Sequence, residues 1–368
     1  MSELEKQVQV LIDGLVKTGT ENGVQVSVYQ HGKVVVDAVA GDADTGRQVT
    51  SDTPFWTAST GKGVTATVAH VLVARGVLGY DTRVVEVWPE FGAHGKETTT
   101  LRHVLTHAAG VPAVAPDTTL EKLCDWDAMC AMIADTEPWW PPGEGVGYHA
   151  ITFGYLVGEI VRRATGMRIS QVLAEEVAGP LGIADELFFG TPESELHRVA
   201  RLVDDPIGKA AFASLPDEWP LFKSAPREIF PNADHANRKD ILQADIPYSA
   251  TGTARAFARM YAALLTEVDG VRLVSPSRLG EISSLATTGI DEMTGAPATY
   301  ALGYTVGLPW NPDPAADSTI FGMVGIGVGA AYADRATGVS IAVTKNRFNP
   351  IEVNAVEQVN DLVTKALS

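Results

Sequence analysis

Apolar residues fall at helical intervals at both ends of the chain. In MSELEKQVQVLIDGLVKTG, Val8, Leu11, Ile12 and Leu15 stand among charges, which predicts an amphipathic first helix. Near the other end Val353, Val356, Val359 and Leu362 share one side of a last helix, 351–367. Next to each of these the period drops to that of strands. Residues 24–41, VQVSVYQHGKVVVDAVAG, place two β-branched runs either side of His31-Gly32, a hairpin pattern. YALGYTVGL, STIFGMVG, GAAYADR and GVSIAVTKNRF read as short strands joined by tight turns.

The middle of the chain is helical in pattern. From Gly61 to Arg75, Val64, Val68, Val71 and Leu72 recur at helical spacing. Beyond residue 80, Pro/Gly loops break the helices at EVWPEFGAHGKETT, EPWWPPGEGVG and DEWPLFKSAPREIFPN. Residues 151–178 and 253–267 read as two long amphipathic helices. Strands at both ends with helices between predict an α/β (α+β) architecture. Residues 1–80 with 290–368 form one antiparallel sheet flanked by the terminal helices, and 81–289 an inserted, mostly helical domain. A cleft between the two is the natural place for a substrate.

Composition narrows the partners. Of the 368 residues 45% are hydrophobic and 20% charged, which is ordinary for a soluble globular protein. The formal charge of −17 argues against nucleic acid or an anionic membrane as partner, because phosphates would be repelled. The first segment lacks the continuous apolar core of a signal peptide, and no run approaches a membrane span. Cys124 and Cys130, six apart in a helical stretch, suit two reduced thiols and a cytoplasmic location.

Candidate chemistry begins at FWTASTGKGVTA, residues 55–66. If a helix starts near Ser59, its hydroxyl and the Lys62 amine lie on one face at i and i+3. The helix N-terminus then offers N–H groups to a developing oxyanion, and a desolvated lysine can accept the serine proton. The same residues also read as a Ser/Thr cap beside a surface lysine. His103 and His107, four apart, lack the Glu of a zinc helix and a third ligand, so no metal is expected. Neither a G-x-S-x-G elbow nor a phosphate loop of G-x-G-x-x-G or Gly-Lys-Ser/Thr type occurs, and no cofactor is expected.

Further segments follow in order: LRHVLTHAAGVP at 101–112, Pro142-Gly143 before Tyr148, then Gly166 and Pro180-Leu181-Gly182. With Ser59-Thr60-Gly61-Lys62 and Leu105-Thr106-His107, the chain strongly resembles the serine β-lactamase and penicillin-binding-protein superfamily. Its class-C-like branch, with family VIII carboxylesterases and transacylases, is the most similar. The resemblance implies that Tyr148 shares a proton network with Ser59 and Lys62. It also implies that FGMVGIGVG supplies the facing strand, with Met323-Val324-Gly325 against substrate, and that Ser59 N–H and Ile326 N–H form the oxyanion hole. His149 and Trp219, the latter in the 219–230 loop, are further candidates to touch substrate.

Two departures from the family pattern bear on specificity. Met323 stands where β-lactamases carry a lysine, and Ala150 where they carry an asparagine. Methionine offers soft apolar surface and no charge, which points away from penicillins. Arg347 is the remaining candidate for a substrate-binding cation. The expected function is a serine enzyme cleaving a small-molecule ester through an acyl-Ser59 intermediate and passing the acyl group to water, an alcohol or an amine. The alternatives are a dedicated transacylase, a β-lactamase or D-peptidase, and a non-catalytic ligand-binding or structural relative.

Overall fold

The computed structural model describes residues 1–311 and 318–367. Its strands are β1 Gly23–Gln30, β2 Lys33–Asp44, β3 Arg47–Gln48, β4 Phe55–Trp56, β5 Leu187–Phe188, β6 Val203–Asp204, β7 Thr251–Gly252, β8 Thr305–Val306, β9 Ile320–Gly325, β10 Gly329–Asp334, β11 Val339–Lys345 and β12 Arg347–Phe348. Seven of them make one antiparallel sheet in the order β3-β2-β1-β11-β10-β9-β8, so the two ends of the chain meet where β1 pairs with β11. His31 and Gly32 both take positive φ, 47° and 79°, as a tight hairpin turn requires. Among the described residues no helix is long and apolar enough to cross a membrane.

The alternation V-Q-V-S-V along β1 explains its two faces. Val24, Val26 and Val28 pack with Val8 and Ile12 of the Glu3–Lys17 helix and with Val356, Val359 and Val363 of the Asn354–Leu367 helix. Each fully buried valine or isoleucine there contributes roughly 1.5–3 kcal/mol. The intervening polar residues meet the Ala254–Leu265 helix: Ala254 N–H donates to Gln25 Oε1 at 2.9 Å, and Ser340 of β11 donates to Ala258 O at 2.8 Å. That helix therefore covers the second face of the sheet. The expected boundary at 289 had grouped it with the helical segment. Its pattern is amphipathic either way, and periodicity alone does not say which layer an apolar stripe meets.

The single long helix expected over 151–178 is interrupted. Thr152–Thr165 ends at Gly166, whose φ of 75° is a left-handed cap, and Ile169–Leu173 begins a separate helix. The first of these packs on the Gly61–Ala74 helix, and residues 246–250 run close against both. A Cβ on Gly154 would lie 2.3 Å from Tyr248 N and 2.6 Å from Pro247 C; one on Gly61 would lie 2.1 Å from Ser249 C. Those approaches bring the Tyr248–Ala250 backbone to the start of the Gly61–Ala74 helix. Gly154→Ala is expected to destabilise the fold by about 2 kcal/mol or more, because backbone must shift. Gly14→Ala, in a helix with nothing within 4 Å of the added carbon, is expected to stabilise it by about 0.5–1 kcal/mol. Urea unfolding of the two variants checks the opposite signs.

Candidate active site

Ser59 lies in a short 3-10 turn, Ala58–Thr60, that runs directly into the Gly61–Ala74 helix. The turn is strained, since Ala58 has φ 44°, a left-handed conformation costing an alanine on the order of 1 kcal/mol. Thr57 holds it with two bonds to one acceptor, its N–H and its hydroxyl reaching Ala250 O at 2.9 and 2.8 Å. From the other side Gly325 of β9 presses on the same turn. A Cβ there would stand 2.3 Å from Thr57 O and 2.6 Å from Thr60 Oγ1.

Of the two readings of Ser59, the cap is not realised. No side chain caps the Gly61–Ala74 helix, and Ser59 Oγ instead lies 3.0 Å from Lys62 Nζ. The Tyr148 ring faces the same amine, and the Ser59 side chain acts on its phenol. Lys62 is fully buried. Its amine donates to Tyr248 O at 3.3 Å and sits 5.1 Å and 5.7 Å from the ring centroids of Tyr148 and Tyr248. Burial without a carboxylate partner pushes the Lys62 ammonium down to about 7. The amine therefore exists in both protonation states near neutral pH. Burial pushes the Tyr148 phenol the other way, well above its usual range, opposed by the Ser59 side chain and reinforced by Asp291. Lysine is thus the weaker holder of its proton, and tyrosine the stronger.

The remaining expected site residues divide. Ile326 is half-exposed in the β9–β10 turn immediately after Gly325, and neither its backbone N–H nor that of Ser59 is engaged in the backbone hydrogen bonds outside helices and strands among the described residues. Met323 is only 3% exposed and packs toward Gly63, so it offers a substrate almost no surface. Val324 belongs on the opposite face of β9, against the cluster beneath the terminal helices, because successive strand residues alternate. Gly325 braces the Ala58–Thr60 turn. His149 is corrected to a structural residue. Its ring is fully buried, Nδ1–H donating to Gly147 O at 2.6 Å and Nε2 accepting from Val111 N–H at 3.2 Å. Trp219 stands edge-on to Phe222 at 5.6 Å, within an aromatic group that includes Phe212 and Phe230.

Arg347 does not supply a cation. Its guanidinium is paired with Asp205, Nε donating to Oδ2 at 3.0 Å, where β12 runs parallel to β6. His103 and His107 have separate surroundings: His103 Nδ1 accepts from Thr100 N–H at 3.3 Å, and His107 Nδ1 from His149 N–H at 3.1 Å. His107 instead places its ring 5.0 Å from Tyr148 and 4.6 Å from Tyr300. Open cavities of 340 Å³ beside Trp88 and 480 Å³ beside His103 are lined by none of Ser59, Lys62 and Tyr148. Chemistry rather than size marks this site. Sequence reasoning missed Tyr248, Tyr300 and Asp291, which carry no motif and arrive from distant loops.

The lysine's burial has a cost that a variant exposes. At pH 7 an unfolded chain keeps the Lys62 proton at its ordinary value of 10.5, whereas the folded chain holds only part of it. The shift corresponds to a penalty on the order of 5 kcal/mol on the charged form. Native stability from this group therefore rises as pH climbs from about 7 toward 10.5. Lys62→Met is expected to raise the unfolding free energy at pH 7 by roughly 2–4 kcal/mol. The gain should shrink at pH 10, and an unchanged or lower denaturation midpoint at pH 7 contradicts it.

The chain matches the family model Beta-lactamase over residues 8–365. It is 34% identical over 340 residues to the esterase/beta-lactamase LipL of Mycobacterium tuberculosis, covering 89% of this chain and 77% of that protein. A solved family VIII carboxylesterase is similar with a TM-score of 0.87 and 30% identity, covering 100% of this chain and 98% of that one. A penicillin-binding protein homolog from Caulobacter crescentus is similar with a TM-score of 0.83 and 31% identity, at the same coverage of 100% and 98%. The chain belongs to the Beta-lactamase family, with a fold to match.

Proposed function

We infer that this protein is a serine acyl-transfer enzyme that cleaves small-molecule esters through an acyl-Ser59 intermediate. The observation that carries the reading is the 3.0 Å approach of a fully buried, carboxylate-free Lys62 amine to the Ser59 hydroxyl. Neutral Lys62 takes the Ser59 proton as Oγ attacks the ester carbon, and the carbonyl electrons move onto oxygen. Ser59 N–H and Ile326 N–H are the donors assigned to that oxyanion, beside the N-terminal end of the Gly61–Ala74 helix. Collapse of the adduct breaks the ester C–O bond. The departing alkoxide takes the Tyr148 proton, and Lys62 ammonium returns one to the phenolate. Water then repeats the sequence on the acyl-enzyme, or an alcohol or amine replaces it in transacylation.

Electrostatics favour a neutral substrate. Met323 is apolar and buried, and Arg347 is held by Asp205, so neither presents a cation to a substrate carboxylate. That argues against a β-lactamase or D-peptidase role. The retention of Ser59, Lys62 and Tyr148 in mutual contact argues against a purely binding or structural role. The substrate cleft assigned by this reading lies between the part made of residues 1–80 and 290–368 and the helical 81–289, with the Ala254–Leu265 helix counted with the sheet. The unpaired thiols of Cys124 and Cys130 support a reducing, cytoplasmic setting.

Incubation with p-nitrophenyl esters should release nitrophenolate and leave an acyl mass on the protein, with Ser59→Ala slower by on the order of a thousandfold or more. Equal turnover by Ser59→Ala would end this reading. On the acid side kcat/KM should rise with pH and reach half its plateau near 7, as Lys62 loses its proton. A profile flat from pH 5 to 9 would remove Lys62 as the base. Nitrocefin should be a poor substrate beside these esters.

A further inference from the structure

Behind the Tyr148 ring stands a buried carboxylate that the mechanism so far leaves unused. Asp291 is 1% exposed and has no cationic partner among the described residues. It accepts from Tyr300 O–H at 2.6 Å, Met293 N–H at 2.8 Å and Thr294 N–H at 2.9 Å. Three donors make such burial tolerable, since an unpaired buried charge is costly without hydrogen bonds. Tyr300 in turn stacks on Tyr148, with centroids 6.3 Å apart and planes within 13°, and His107 packs against both rings. The two loops are also joined through backbone, Glu292 N–H donating to Val146 O at 2.9 Å.

We propose that Asp291 and Tyr300 are a positioning pair for Tyr148: Asp291 anchors the Tyr300 hydroxyl, and the Tyr300 ring sets the plane of the Tyr148 ring, holding its hydroxyl where it can protonate the leaving alkoxide. The proposal rests on the reading of Tyr148 as proton donor. The groups facing Tyr148 are Ser59 and Lys62 from the nucleophile helix, Tyr248 across Lys62, His107, and Tyr300 with Asp291 behind it. A Tyr148 ring packed between Tyr300 and His107 has little room to swing its hydroxyl away from Ser59 and Lys62.

The test compares kcat/KM across pH for two butyrate esters, one losing p-nitrophenolate, which leaves without a proton, and one losing ethanol, which needs one. Asp291→Asn keeps the shape and removes the charge; Tyr300→Phe keeps the ring and removes the donor to Asp291. For Asp291→Asn the rate with ethyl butyrate relative to p-nitrophenyl butyrate should fall about tenfold at every pH, because the Tyr148 hydroxyl is less firmly held toward the leaving oxygen. Tyr300→Phe should lower that ratio about threefold. A wild-type ratio in both variants, or equal losses on both esters, would overturn the proposal while leaving Tyr148 in its role. If Asp291→Asn does not fold, the ratio in Tyr300→Phe decides alone. Tyr148→Phe run alongside should lose ethyl butyrate cleavage; if it keeps it, the donor reading of Tyr148 fails, and the pair with it.

Discussion

A lysine amine sealed among tyrosine rings and a backbone carbonyl, with no carboxylate beside it, does not hold its proton firmly at neutral pH. The local architecture around the site depends on creating and tolerating that situation. Gly61 and Gly154 let the Tyr248–Ala250 segment reach the start of the nucleophile helix, where it closes over Lys62 and offers the Tyr248 carbonyl. Gly325 lets β9 close from the other side. A side chain at any of these positions would separate backbones whose contact excludes water from the amine. The strained Ala58 belongs to the same arrangement, because it turns the chain so that Ser59 meets Lys62 rather than capping the helix.

Lys62 is sealed off and Tyr148 is half-buried beside it, and the two respond to desolvation in opposite ways. Desolvation penalises whichever form is charged, so the ammonium is weakened and the phenol strengthened by the same dry surroundings. In the proposed mechanism the pair divides the work of a single histidine: one group accepts a proton from Ser59 while the other offers one to the leaving group. Asp291 behind Tyr300 accentuates this difference at the tyrosine end.

Much of the fold was legible in the sequence because its signals are local. Val8, Ile12, Val356 and Val359 face the sheet as their spacing requires, and His31-Gly32 turns the hairpin. The pairing of Ser59 with Lys62 was legible too, since i and i+3 neighbours need only a helix. What stayed hidden depends on tertiary contact. Val324 and His149 look like substrate residues in sequence because they adjoin Met323, Gly325 and Tyr148; strand alternation turns Val324 away, and two backbone bonds bury His149. Arg347 reads as a free cation until β6 arrives from 142 residues away to pair with it. Asp291 and Tyr300 have no spacing relation to Tyr148 at all, and their role appears only when two loops fold together.

The central claim is that Lys62 is neutral for a substantial fraction of the time at physiological pH, and the titration of that one amine tests it most directly. Side-chain carbon and nitrogen resonances of isotope-labelled lysine, assigned through Lys62→Met, would follow its protonation in the free enzyme. The account predicts one lysine titrating near 7, absent from the variant. A Lys62 that stays protonated to pH 10, like the exposed lysines, would contradict it.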